Sequence, residues 1–366
     1  MARKEFIQMR RDRLTFGMMF GIPLVQLIMF GYAINTDPKH LPTVVVAGDT
    51  GPVVQGIIQG LRNTGYFDIA STTSTEADAQ EMLANGDAQF VITIPPNFTR
   101  DLLRNQHPQL LLQADATDPV AVGNAVGAIQ GFIQQAATND LQGTFGNVAG
   151  PAPPVDFRLH LLYNPERRSQ VNIVPALLGI VLTMTMVNIT AMAIVREKER
   201  GTMENLLSTP ARPAEVMLGK ILPYIFVGYV QACVILAAAR FLFDVPEVGS
   251  FALLGACMLI FIMANLGMGI LFSTLAQSQL QAMQMSFFFF LPSMLLSGFF
   301  FPFRGMPLWA QYLGSMLPLS HFLRIVRGIV LKGNGMPEVW PQLWPMALFF
   351  LVVMTIAVKR FRRTLD

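Results

Sequence analysis

The stretch "VNIVPALLGIVLTMTMVNITAMAIVREKER", residues 171–200, sets 25 uncharged residues directly against five charged ones, Arg196 to Arg200. A helix needs roughly 20 apolar residues to cross the hydrocarbon of a bilayer, and ionised side chains are costly inside it. The first part therefore reads as a membrane span, and the second as the point where the chain leaves the membrane. Four further uncharged runs obey the same rule: Leu14–Thr36, Ile221–Ala239, Val248–Phe303 and Val339–Val358. Val248–Phe303 is 56 residues long, enough for two crossings, with "AQSQLQ" (276–281) as the polar turn between them. A single run could be the core helix of a soluble protein. Five in one chain read as six spans.

Charge placement orients them. The chain of 366 residues is 52% hydrophobic and 13% charged, with mean hydropathy +0.46. Lys and Arg gather at membrane ends: five in 1–13, five in 196–220 and four in 359–363. The positive-inside rule assigns all three segments to the cytoplasm, which six spans permit. Segment 37–170, with 13 acidic and 7 basic residues, then lies outside. Against the rule, Arg304, Arg324, Arg327 and Lys332 also fall on the outer side. Cys233 and Cys257 lie in apolar runs and are expected as small buried side chains, not as a disulfide. The N-terminus has the basic-then-apolar order of a signal peptide. Its apolar part is too long and lacks a small-x-small cleavage site, so it reads as an uncleaved anchor.

The expected architecture is a polytopic α-helical membrane protein. It comprises an interfacial helix at 1–13, TM1 at 14–36, a periplasmic α/β domain at 37–170 and TM2 at 171–195. A cytoplasmic coupling segment at 196–218 leads to TM3 (219–241), TM4 (250–273) and TM5 (282–300). Short re-entrant helices at 304–332 precede TM6 (339–358) and a cytoplasmic tail at 359–366. In the outer domain "TVVVAGD", "AQFVITIP" and "PQLLLQAD" read as strands. "GPVVQGIIQGLRNTG", "STEADAQEMLANGD" and 118–141 read as helices. The alternation implies a small, partly parallel sheet. Residues 146–156, "GNVAGPAPPVD", read as a flexible or extended connector back to the membrane. Residues 305–330 are apolar but broken by Pro307, Gly314, Pro318 and Ser320, which suits two short helices shielded by protein.

Several chemistries are missing from the sequence. There is no G-x-x-x-x-G-K-[ST] phosphate loop, no H-E-x-x-H and no G-x-S-x-G. The four His residues (40, 107, 160, 321) are scattered rather than spaced as metal ligands. No Asp, Glu, Lys or Arg lies within the uncharged runs, which argues against a proton-driven carrier and an intramembrane enzyme. Energy should enter from outside the spans.

The charged loop "REKERGTMENLLSTPARPAEVMLGK" (196–220) is where it would enter. Written as a helix, it pairs Arg196 with Glu199, Glu197 with Arg200 and Arg200 with Glu204. Met203, Leu206 and Leu207 form an apolar stripe, and Pro210 and Pro213 end the element. Such a short amphipathic helix fits a groove in a cytoplasmic partner. A solvated topology signal would explain the basic residues, but not the four acids or the stripe.

"REKERGTMENLLSTP" with "KILPY" (220–224) resembles the signature of ABC transporter permeases of the type-2 exporter class, in particular the bacterial YbhR/YbhS/YhhJ-like group. "PLVQLIMFGYAI" (23–34), "LGMGILFSTL" (266–275) and "LPSMLLSGFFFP" (291–302) carry weaker likenesses. The resemblance implies an exporter permease, not itself an enzyme, with ATP and Mg bound by a separate ATPase subunit and no cofactor in this chain. It implies a coupling helix whose matching positions are Glu197, Glu199, Arg200, Gly201, Thr202, Glu204 and Leu207. It also implies a second permease subunit, identical or paralogous, and a route for drugs or other amphipathic compounds lined by spans two and five. Gly179 and Gly298 there are candidates for close helix contact. A periplasmic membrane-fusion adaptor is the implied partner outside; nothing points to nucleic acid. The rival architectures are a membrane sensor or receptor with an extracytoplasmic domain, and a membrane enzyme. The four extra spans, with no signalling domain, disfavour the first. The second lacks a polar catalytic cluster.

Overall fold

The computed structural model describes residues 39–73, 75–104, 106–117, 122–129, 155–164, 168–200 and 213–363. The expected interfacial helix 1–13 and first span 14–36 lie outside them, as does 201–212. Among the described residues two compact units separate. One takes in residues 39–172 with Arg304–Met306, the other Ile173–Phe303 and the described chain from Pro307 onward.

The first unit is an α/β domain. Its elements run β1 (Leu41–Ala47), α1 (Pro52–Asn63), β2 (Phe67–Thr73), α2 (Glu76–Asn85), β3 (Phe90–Ile94), α3 (Phe98–Leu103), β4 (Gln109–Asp115) and β5 (Asp156–Leu162). A helical segment at 122–129 lies between the last two strands. The sheet order is β2-β1-β3-β4-β5. β1 pairs in parallel with β2 and β3, β3 antiparallel with β4, and β4 in parallel with β5.

Alternation along β1 explains the layering, because successive side chains on a strand point to opposite faces. Leu41 and Val45 join a core with Val54 and Leu61 of α1, Phe98 and Leu102 of α3, and Val122, Val126 and Ile129. Val44 and Val46 face the other way and pack on Ala79 and Leu83 of α2. Asp49, just past β1, ties this layer together. Its carboxylate accepts the Gly51 amide at 2.9 Å and the Thr99 amide of the first turn of α3 at 2.7 Å. Those bonds to the charged form hold the Asp49 carboxyl below its usual range. Within the same unit, the Arg304 guanidinium donates to the carbonyls of Gly86 and Asp87.

Two strands depart from the sequence reading. "FDIASTT" (β2), with only Phe67 and Ile69 as large apolar residues, is not among the expected strands. β5 begins at Asp156, where a connector was expected. It is held by parallel pairing to β4 from Gln109↔Asp156 to Asp115↔Leu162. Of the helix expected at 118–141, residues 122–129 are described.

The second unit is helical: α4 (Ser169–Glu199), α5 (Pro213–Phe243), α6 (Phe251–Leu275), α7 (Gln279–Leu296), α8 (Leu308–Ser315), α9 (Pro318–Arg327) and α10 (Met336–Arg363). A π-helical turn, Gly328–Lys332, follows α9. Four helices are long and apolar enough to cross a membrane: Gln170–Glu199, Ile221–Phe243, Phe251–Leu275 and Met336–Arg360. The expectation of six is thus met by four among the described residues. α7, over the expected TM5, is not among them. It has 18 residues, opens with Gln279, Gln281 and Gln284, and stops at Leu296 instead of 300.

Gly298 is part of that stop. It has φ +82, a left-handed conformation that glycine adopts without strain, and so serves a turn and not a helix contact. Gly179 does serve a contact, since a Cβ there would lie 2.9 Å from Phe322 and 3.0 Å from Leu319 of α9. Phe322 in turn stacks on Phe261 of α6, centroids 4.0 Å apart. In α6 every residue from Phe261 to Ile270 is buried except Met263. α5 is the opposite: Phe226 is 70% exposed, and Leu222, Val234 and Phe241 are also open. An apolar face left open on a long uncharged helix is what lipid-facing spans present. Cys257 is buried, whereas Cys233 is exposed on α5, correcting the expectation that both are buried; both are free thiols.

Candidate functional site

The charged block closes α4. The last turn carries Arg196 and Lys198, where cations complement the negative end of the helix dipole. The Arg200 amide still donates to the Arg196 carbonyl at 3.1 Å. Arg196, Lys198, Glu199 and Arg200 are exposed and Glu197 is half-buried. Gly201, Thr202, Glu204 and Leu207, with Met203 and Leu206, lie outside the described residues. The chain is described again from Pro213, where α5 begins.

Glu199 is badly placed for its own helix, since a carboxylate at a C-terminus opposes the dipole. It reaches the favourable end of another. One oxygen accepts the backbone amide of Gln279 at 2.8 Å and the other the Gln279 side-chain amide at 2.5 Å. The ion pair expected between Arg196 and Glu199 is not among the ion pairs of the described residues; Gln279 takes its place.

α7 has its own cap as well. The Ser278 hydroxyl accepts the Gln281 amide at 3.2 Å, and Gln281 Oε1 accepts the Gln277 amide at 2.7 Å. This is the reciprocal logic of a capping box shifted by one residue. The helix ends meet over small side chains: Ala191 and Val195 of α4 cluster with Ala276 and Ala282, flanked by Phe272 and Met285. Sequence reasoning took "AQSQLQ" for a polar turn and missed Ser278, Gln279 and Gln281 as structural partners of the charged block. The S-x-x-Q spacing was the available signal.

The basic residues that offended the topology rule also have structural occupations. Arg324 Cζ lies 4.2 Å from the Phe303 ring centroid, within cation–π range, and Arg324 donates to Gln342 at 3.3 Å. Arg327 donates to the Gly298 carbonyl at 3.2 Å. Cations committed to rings and carbonyls are there for packing, so their count is a poor guide to sidedness.

Residues 13–359 match the family described as ABC-2 family transporter protein. The chain belongs to this family. It is 27% identical over 365 residues to the "Probable multidrug ABC transporter permease YbhR" of Escherichia coli K12, covering 99% of this chain and 97% of the relative. With YbhS of the same organism, also named a probable multidrug permease, identity is 29% over 333 residues, covering 90% and 87%. The Escherichia coli "Inner membrane transport permease YhhJ" is 29% identical over 358 residues, 93% of each chain. As an ABC-2 permease the chain is a multi-pass membrane transport subunit. It does not itself hydrolyse ATP and binds no cofactor, and ATP is bound by an ATPase partner. The sensor and enzyme readings are thereby set aside.

Proposed function

We propose that the chain is the membrane-spanning subunit of an ATP-driven exporter of amphipathic compounds in a bacterial inner membrane. The observation that carries the proposal is the end of α4. An uncharged span runs without a break into a five-residue charged block, and the chain re-enters an apolar helix from Pro213. In this reading 196–207 is the coupling helix. Met203, Leu206 and Leu207 enter a groove of the ATPase subunit, Arg200 and Glu204 set its register, and Gly201, next to Thr202, allows close backbone approach. Glu197 and Glu199 hold its base.

Six spans complete the reading: 14–36, α4, α5, α6, α7 and α10, with both termini inside. Residues 37–170 are periplasmic, and 304–332 form re-entrant helices in the outer leaflet. The buried apolar face of α9 and the engaged cations on its other side support that placement. A second permease subunit, identical or paralogous, completes the translocation pathway between α4 and α7. The pairing is supported by the two related permeases YbhR and YbhS in one organism. Efflux of drugs is supported by the names of these two relatives alone. The acidic outer domain gates the exit or receives a membrane-fusion adaptor, and among its described residues there is no group of His, Cys, Asp and Glu that could hold a metal ion.

Affinity purification of the chain from the cells that make it, with identification of the co-eluting chains, tests the proposal. An ATPase subunit should co-elute in equal amount, and its hydrolysis rate should rise on assembly. A chain that purifies without any ATPase subunit refutes the coupling reading.

A further inference from the structure

We propose that Glu199 and Gln279 form a fixed joint through which the charged loop moves α7, making Glu199 a positioning residue rather than a contact to the ATPase subunit. The inference rests on the reading of 196–207 as the coupling segment and adds the route by which its motion enters the spans.

Three observations carry it. Both carboxylate oxygens of Glu199 are committed to Gln279, 80 residues away in sequence. Glu199 is exposed, yet each of its oxygens already accepts a hydrogen bond within this chain. α7 also has a cap of its own, because Ser278 accepts the first-turn amide of Gln281 and Gln281 Oε1 accepts the amide of Gln277, just before the helix. What Glu199 adds is a link between helices. Beneath it, Ala191, Val195, Ala276 and Ala282 bring the two helix ends together through short side chains. Such side chains have few rotamers through which the contact could slide, and packed interiors transmit displacement instead of absorbing it. The inner ends of α4 and α7 therefore move as one body. A push on the loop beyond Arg200 reaches α7 directly, without passing through α5.

The test uses the assembled complex, with Cys233 and Cys257 replaced by Ala and a reporter Leu280→Cys on the exposed first turn of α7. The rate of maleimide reaction at the reporter is measured with and without vanadate-trapped ATP. In the otherwise native chain, trapping should change the rate several-fold. Glu199→Ala should abolish that change while the ATPase subunit still co-purifies. Glu199→Gln, which keeps an acceptor for the Gln279 amide, should restore part of it. Separately, Glu199→Cys with Gln279→Cys, bridged by a short bifunctional thiol reagent, should leave ATP turnover intact.

An unchanged nucleotide response in Glu199→Ala overturns the joint, as does a bridged complex that is inactive until the bridge is reduced. If Glu199→Ala loses the ATPase subunit, Glu199 belongs to the docking contact and the positioning role falls while the coupling segment stands. If the unsubstituted chain fails to retain that subunit, the coupling reading itself falls.

Discussion

Glu204 is the residue on which the docking proposal is most exposed. Truncating one partner of a buried interfacial charge pair costs about 2–5 kcal/mol, because the other charge is left unpaired, whereas rim charges cost far less. Glu204→Ala and Gly201→Trp should therefore abolish stimulation of the ATPase while the chain still inserts. Lys198→Ala, on an exposed position, should be nearly silent. Hydrolysis by the reconstituted complex, with pull-down of the ATPase subunit, measures both. Full activity in the first two variants would reduce the charge block to a topology signal. In the outer domain Asp49 sets a pH dependence. Its folded carboxyl titrates below the unfolded one. It therefore stabilises the domain above the unfolded value, roughly 3.9 for Asp, and that contribution fades as the pH falls through the folded value. Asp49→Asn should flatten the acid side of a thermal-melting series recorded for the full chain. An unaltered acid limb would contradict the role given to its bonds with Gly51 and Thr99.

At the scale of elements, α5 and α9 make opposite predictions. Phe322 of α9 is fully buried and stacked on Phe261, while Phe226 of α5 is 70% exposed. In lipid the loss on truncation is one of packing, since the acyl chains are as apolar as the side chain. Phe322→Ala should lower the melting temperature of the detergent-solubilised chain by several degrees, and Phe226→Ala should leave it unchanged. Equal effects would mean that α5 packs against something other than lipid. These elements also show what could be read beforehand. Uncharged length located α4, α5, α6 and α10, because the cost of a charge in hydrocarbon is large and local. The Pro and Gly breaks at 307–320 correctly pointed to short helices where the hydropathy alone would allow a span. β5 escaped although Phe157, Leu159 and Leu161 alternate with Arg158 and His160, because it abuts the membrane segment and its partner strand is distant in sequence. The Glu199–Gln279 tie was illegible for the same reason. A pairing across 80 residues is decided by how helices pack, and i,i+3 spacing had offered Glu199 a nearer partner in Arg196.

For the whole molecule, the proposed sidedness makes positions 50, 208 and 364 report different compartments. With Cys233 and Cys257 replaced by Ala, single cysteines at Thr50, Ser208 and Thr364 should differ toward an impermeant thiol reagent in intact spheroplasts. Only position 50 should react; labelling at 208 would invert the loop and remove its access to ATP. In the proposed function this permease moves amphipathic solutes with energy supplied by a separate ATPase. Inside-out vesicles holding the co-expressed complex test it most directly, through ATP-dependent uptake of a fluorescent amphipathic cation such as ethidium. Uptake should require ATP, cease with vanadate, and vanish when the ATPase subunit is omitted or when Glu204→Ala replaces the native chain. Uptake that persists without the ATPase subunit, or that follows a proton gradient instead of ATP, would contradict the account.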